Sequence, residues 1–349
     1  MTRRVVLRIV RPLLELMLLL SFSACATLGA DDVRIRALEA EPPANVSVYL
    51  SVASDVEPLD SLTAEDFVLF EDERELSPTI ARQTLLDKAV VVHHHTLLLI
   101  DNSLATDAEV RAELENAVAI FAGTVRSTQP VSVYAYDGSP RLTLVSEIPR
   151  AADPEKSTAP PAKQLEPKDV SRNLNGALLL GAEELDRRLA QSGKPFGVGT
   201  LVVFAAGADL AGRVEEAKVH DWLNETRHRV LAIGYGEQSD SVRAFGKDGY
   251  YDAVNQSTVS LAFEDAGHAV ANEFAQGFLL SYCSPARNGQ RVLRVEVRIN
   301  GEQGYTLGGD TSEFNADGFR AGCDPTRLPR FAPSDPSEPT PSLPSAADE

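Results

Sequence analysis

From Ala44 to Phe70 apolar and polar residues alternate, and Val46, Val48, Leu50 and Val52 share one face of an extended segment, which predicts a half-buried strand. Leu62 to Asp72 continues with a turn, a second strand and an acidic turn. At Thr96 the pattern changes. Leu97-Leu98-Leu99-Ile100 is an unbroken apolar run that stops at Asp101, and from Asp107 a helical pattern takes over, with Val110, Leu114, Val118 and Phe121 at three- and four-residue steps. The run reads as a parallel strand buried on both faces, which delivers Asp101 to its carboxyl end. Further on, Val131–Tyr136 and Leu142–Val145 form a hairpin around Asp137-Gly138. A helix over Leu174–Leu189, a buried strand over Leu201–Phe204, a helix over Val214–Leu223, a buried strand over Val230–Ile233 and a last helix over Val259–Phe274 complete the region.

Strands alternating with helices predict a mainly parallel, doubly wound, Rossmann-like α/β sheet over residues 96–276. After it, Phe278–Tyr282 and Val292–Ile299 return to strand patterns, with Arg294, Glu296 and Arg298 on the solvent side of the second. The segment 44–92 is too short to close a sandwich alone. Residues 44–92 and 277–324 are therefore expected to form one small discontinuous β-sandwich with the α/β domain inserted, which close termini permit. Residues 149–168, with five prolines among charges, read as a surface insertion, and residues 325–349 as a disordered Pro/Ser/Asp/Glu tail.

The 349 residues provide for about two domains, on a scale of roughly 100–200 residues each. A net charge of −18 argues against nucleic-acid binding, because phosphate contacts need a basic patch. Residues 1–25 form a targeting segment: Arg3, Arg4, Arg8 and Arg11 precede an apolar run from Leu13 to Phe22 that is too short for a stop-transfer helix. Its end, Phe22-Ser23-Ala24-Cys25, resembles a bacterial lipobox, which implies lipidation of Cys25 in an exported lipoprotein of the cell envelope. Ala26 follows the cysteine, and in the lipoproteins it resembles this favours the outer membrane. An ordinary signal peptide cut after Ala24 or Ala26, or an uncleaved anchor, is the alternative. Export favours a disulfide between the other two cysteines, Cys283 and Cys323.

Asp101-Asn102-Ser103-Leu104-Ala105 resembles the first loop of the metal-ion-dependent adhesion site of von Willebrand factor type A domains, where the pattern is Asp-x-Ser-x-Ser. Arg172-Asn173-Leu174-Asn175-Gly176-Ala177-Leu178 is similar to the second-loop motif, with arginine in the place of threonine, and Ala205-Ala206-Gly207 occupies the third-loop position of Thr-Asp-Gly. Leu62–Asp72 resembles the segment preceding this domain in bacterial VWFA-related proteins. In that family, five oxygen-bearing side chains hold magnesium or manganese, and the domain binds other proteins. Asp101 and Ser103 match two ligand positions. Three are lost at Ala105, Arg172 and Ala206, so the site is expected to be degenerate and to hold no divalent ion. A guanidinium at 172 is suited to pair with Asp101 and close the pocket. The alternative is magnesium or manganese held through Asp101 and Ser103, with Ser171 and Asp209 substituting after small register shifts.

His93 and His95 share a face of an extended segment and could chelate a transition metal, or all three of His93-His94-His95 could simply pack at the domain junction. His220, Asp221 and His228 show no triad spacing, and no nucleophile elbow, zinc-protease helix or phosphate loop occurs. The expectation is a non-enzymatic interaction module with an unidentified protein partner, a lipid anchor at the membrane and no cofactor. A cation-dependent adhesin and an accessory subunit of an envelope enzyme or secretion complex are the alternatives.

Overall fold

The computed structural model describes residues 32–53, 59–104, 108–151, 169–299 and 305–331. The targeting segment, Cys25, Ala105, residues 152–168 and the chain after 331 lie outside them. The amino-terminal part holds the strands β1 (Asp32–Glu41), β2 (Asn45–Ala53), β3 (Phe67–Glu71), β4 (Arg74–Glu75) and β5 (Thr84–Leu86). The central stretch holds β6 (Val92–Asp101), α1 (Ala108–Val125), β7 (Val131–Tyr136), β8 (Thr143–Ile148), α2 (Leu174–Gln191), β9 (Phe196–Ala205), α3 (Glu216–Glu225), β10 (Arg229–Tyr235), β11 (Tyr250–Ala253) and α4 (Gln256–Gln276). The chain returns through β12 (Gly277–Cys283), β13 (Gln290–Ile299) and β14 (Tyr305–Asn315). Among the described residues no helix is long and apolar enough to cross a membrane.

Six central strands make one sheet in the order β11-β10-β9-β6-β7-β8, parallel except for the antiparallel edge strand β8. Alternate residues of β6 feed opposite layers, as the pleat requires. Leu98 and Ile100 pack with α1 and α4, through Phe121 and Phe263 among others, while Leu97 and Leu99 pack with α2 and α3, through Leu178 and Val219. The sheet is thus doubly wound, as the periodicity predicts. Its switch point is the carboxyl end of β6, because α1 leads to β7 over one face and α2 leads to β9 over the other.

Two four-stranded antiparallel sheets, β1-β2-β12-β5 and β14-β13-β3-β4, enclose a second core built on Val46, Val48, Leu50, Leu69, Leu280 and Leu293. The α/β body is inserted between β5 and β12, agreeing with the expected fold class.

Two boundaries move and one further strand appears. The sandwich begins at β1, before residue 44; a bulge between Ile35 and Ala37 shifts the apolar phase from Val33 and Ile35 to Leu38 and Ala40, which hides the strand from a period-two reading. β14 escapes for a related reason: it carries Gly308 and Gly309, bulges at Leu307 opposite Val297 and Arg298, and seats Leu307 and Phe314 in the core. Residues 325–331, assigned by composition to the tail, end instead in a buried aromatic, Phe331, packed against Phe196.

Candidate functional site

Asp101 is fully buried at the end of β6. One carboxylate oxygen, Oδ1, accepts from the backbone N–H (3.0 Å) and the hydroxyl (2.5 Å) of Ser103. The other, Oδ2, accepts from Arg172 Nε and from the Ala206 N–H at 3.3 Å. The structure therefore brings Asp101, Ser103, Arg172 and Ala206 together from three loops.

Arg172 is held at both ends. Its Nη1 donates to the Ala208 carbonyl at 3.1 Å, and its own carbonyl accepts from the N–H groups of Leu210 (2.8 Å) and Ala211 (2.9 Å). It precedes the helix cap: Asn173 Oδ1 accepts from the Gly176 N–H, so the start of α2 fixes where the guanidinium enters. Gly207, at φ +146°, lets the third loop pass; a Cβ there would lie 2.9 Å from Gln238 Oε1 and 3.3 Å from Arg172 Nη1.

The two substitute ligands are occupied elsewhere. The Ser171 hydroxyl donates to Asp169 at 2.8 Å. The Asp209 carboxylate accepts from the N–H groups of Asn175 (3.1 Å) and Gly212 (2.7 Å), shaping the loop and capping α2. Beside the pair, Tyr136 donates to the Phe204 carbonyl, and burial followed by the charge of Asp101 pushes its hydroxyl well above the usual phenol range. A divalent ion needs several free oxygen ligands in near-octahedral array. Here the one carboxylate carries four hydrogen bonds, one from a cationic guanidinium, and this donor set does not fit such an ion. Among the described residues no group of three or more His, Cys, Asp or Glu side chains is placed to hold a metal.

Opposite Asp101, at the amino end of β6, the histidines pack at the junction. His94 Nε2 lies 2.8 Å from the Tyr49 hydroxyl of β2, and His95 Nε2 lies 2.9 Å from the Ser132 hydroxyl. Burial drives both imidazoles down to about 3. The His93 and His95 rings do lie on one side, with centroids 5.8 Å apart, but the His95 ring is committed to Ser132. Cys283 and Cys323 are bonded, with Cα atoms 5.8 Å apart.

Sequence reasoning missed the backbone partners of the pair, the Ala206 N–H and Ala208 carbonyl, which no side-chain pattern encodes. It also missed two apolar side chains exposed on the same loops, Val170 (74%) and Leu210 (65%). Their placement within segments otherwise rich in polar and small residues was the available signal.

No protein-family model and no curated protein matches the sequence. Among solved structures the chain is similar to a von Willebrand factor type A protein from Catenulispora acidiphila, at 9% identity and a TM-score of 0.40, covering 81% of this chain and 72% of that one. It is similar to the pilus adhesin SpaC from Lactobacillus rhamnosus GG, in its open conformation, at 10% identity and a TM-score of 0.38, over 85% of this chain and 42% of that one. The VWA domain of SpRpn10 matches at 13% identity and a TM-score of 0.34, over 49% of this chain and 93% of that one. The architecture itself is read from the hydrogen-bonded registers: with β6 near its centre, an antiparallel edge at β8 and helices on both faces, the inserted body is a doubly wound, mainly parallel α/β domain.

Proposed function

We propose that this chain is a non-enzymatic lipoprotein of the cell envelope whose type A-like domain binds a protein partner at the carboxyl edge of its sheet, without a divalent cation. The observation that carries this reading is the Arg172 guanidinium on Asp101. A single carboxylate needs one positive charge for neutrality, and a guanidinium supplies it with directed N–H donors and no open coordination position. Binding at this edge then rests on surface chemistry, for which exposed Val170 and Leu210 beside the closed pair provide apolar area. The lipobox-like end at Cys25 supports membrane tethering.

A photo-cross-linking residue placed at position 210 of the mature chain tests the reading in native envelopes. A discrete cross-linked partner that persists in excess chelator is expected, and Cys25→Ala is expected to move the chain to the soluble fraction. A cross-link that forms only after magnesium or manganese is added would overturn the cation-independent mode.

A further inference from the structure

The α/β body meets the sandwich at two adjacent chain crossings. The incoming chain runs from β5 through a helical turn, Lys88–Val91, into β6, and the outgoing chain passes directly from α4 into β12. The Lys88 ammonium pins the two together: it donates to the carbonyls of Phe274, Ala275 (3.3 Å) and Gly277 (2.6 Å), and lies 4.6 Å over the Phe274 ring. Two strands of chain tied here make a pivot. Away from it, Tyr49 joins β2 to His94 of β6, and the angle depends on what packs beside that contact.

The segment following the disulfide occupies such a position. Cys323 is bonded to Cys283 at the end of β12, and its carbonyl accepts from Arg82 Nη1 at 2.9 Å. The Asp324 carbonyl accepts from the Asn45 amide, and Arg327 pairs with Glu41 and donates to the Pro42 carbonyl at 3.3 Å. All of these partners belong to the sandwich. Phe331 does not follow them. It is 3% exposed, its ring 5.3 Å from that of Phe196 at the amino end of β9, in a junction cluster with Tyr49, Val91, Val92 and Leu279. Tyr49 reaches the same place from β2, 5.4 Å from Phe196.

We propose that Cys323–Phe331 is a clasp that sets the orientation of the α/β body on the sandwich, with the disulfide as its fixed end and Phe331 as its latch. The latch acts on the amino end of the central sheet, and β6 is a ten-residue strand. Its carboxyl end, where Asp101 sits, is about 30 Å away at roughly 3.3 Å per residue, so a small rotation at the latch becomes a large displacement of that edge. Freed of the clasp, the Lys88 tie and the Tyr49–His94 hydrogen bond retain the domains' connection, and their angle is less narrowly fixed.

Paired spin labels on cysteines introduced at Glu237 in the body and Glu313 in the sandwich, in the mature chain with Cys25→Ala, read that angle as an inter-label distance. The unaltered clasp is expected to give one narrow distance. Phe331→Ala is expected to broaden or shift it, with far-ultraviolet circular dichroism unchanged, and Phe331→Leu, which keeps an apolar plug, to restore it. Cys283→Ser combined with Cys323→Ser, which leaves no further thiol to label, is expected to broaden it as well, and should that variant fail to fold, Phe331→Ala decides the matter alone. A distribution in Phe331→Ala as narrow and as centred as in the unaltered protein would overturn the proposal.

Discussion

At the amino end of β6 two buried imidazoles are kept neutral, each hydrogen-bonded to a hydroxyl, His94 to Tyr49 and His95 to Ser132. At the carboxyl end of the same strand a buried carboxylate is matched by a guanidinium. The difference follows from what each end does. The amino end is a packed junction, where a neutral polar group with one partner costs little. The carboxyl end is the sheet's switch point, where three loops must be drawn together, and Asp101 does this by collecting donors from Ser103, Arg172 and Ala206. One strand therefore carries a hinge-side anchor that titrates only in acid and a site-side anchor that depends on its ion pair.

The largest expected effect breaks the charged end. Arg172→Ala leaves Asp101 buried with no counter-charge and is expected to cost about 3–5 kcal/mol, read as a fall in the denaturant midpoint. Combining Arg172→Met with Asp101→Asn is expected to recover roughly half or more of that, because the unpaired charge is gone. A single-mutant cost below ~1 kcal/mol would show that the pair does not organise the loops.

The next effect belongs to the neutral end. His94 and His95 titrate near 6.5 when unfolded and at about 3 when folded, so the unfolded chain holds more protons in between. Their contribution is fully present above about 6.5 and is lost as the pH falls toward 3, by up to ~1.4 kcal/mol per pH unit for each histidine. Unfolding free energies measured at pH 5, 6 and 7.5 check this. His95→Asn is expected to flatten the slope by up to one proton, and an unchanged slope would mean that the imidazole is already charged in the fold.

Tyr49→Phe sharpens the comparison at smaller scale: it removes the one hydroxyl on His94 and is expected to cost about 1–2 kcal/mol by thermal or denaturant unfolding. At the bottom of the range, Arg243→Ala, which removes the surface pair with Asp240 (58% and 87% exposed) and the guanidinium 4.1 Å over the Tyr250 ring, is expected to change stability by less than ~1 kcal/mol.

The α/β body was legible because its strands are apolar runs and its helices keep a 3.6-residue period. Leu97–Ile100 and Val110–Phe121 announce their burial without reference to the rest of the chain. The sandwich was legible in β2, β3, β12 and β13, and was lost in β1 and β14, where bulges and glycines break the phase. At the site, the pairing of Asp101 with Arg172 could be read from their charges and motif positions. The roles of Asp209 and Ser171 could not be, because each is spent on a backbone or side-chain partner that only the loop geometry brings near. Phe331 was hidden by its setting: a lone aromatic in a proline-rich stretch has no periodicity to report its burial.

The claim that an arginine has taken the cation's place is tested most directly by the melting temperature of the mature chain against increasing magnesium and manganese. Because a bound ion at a hundred times its Kd adds about 2.7 kcal/mol to the folded state, real coordination raises the midpoint by several degrees. The account predicts no concentration-dependent rise with either ion, whereas a rise that Asp101→Ala abolishes would contradict it.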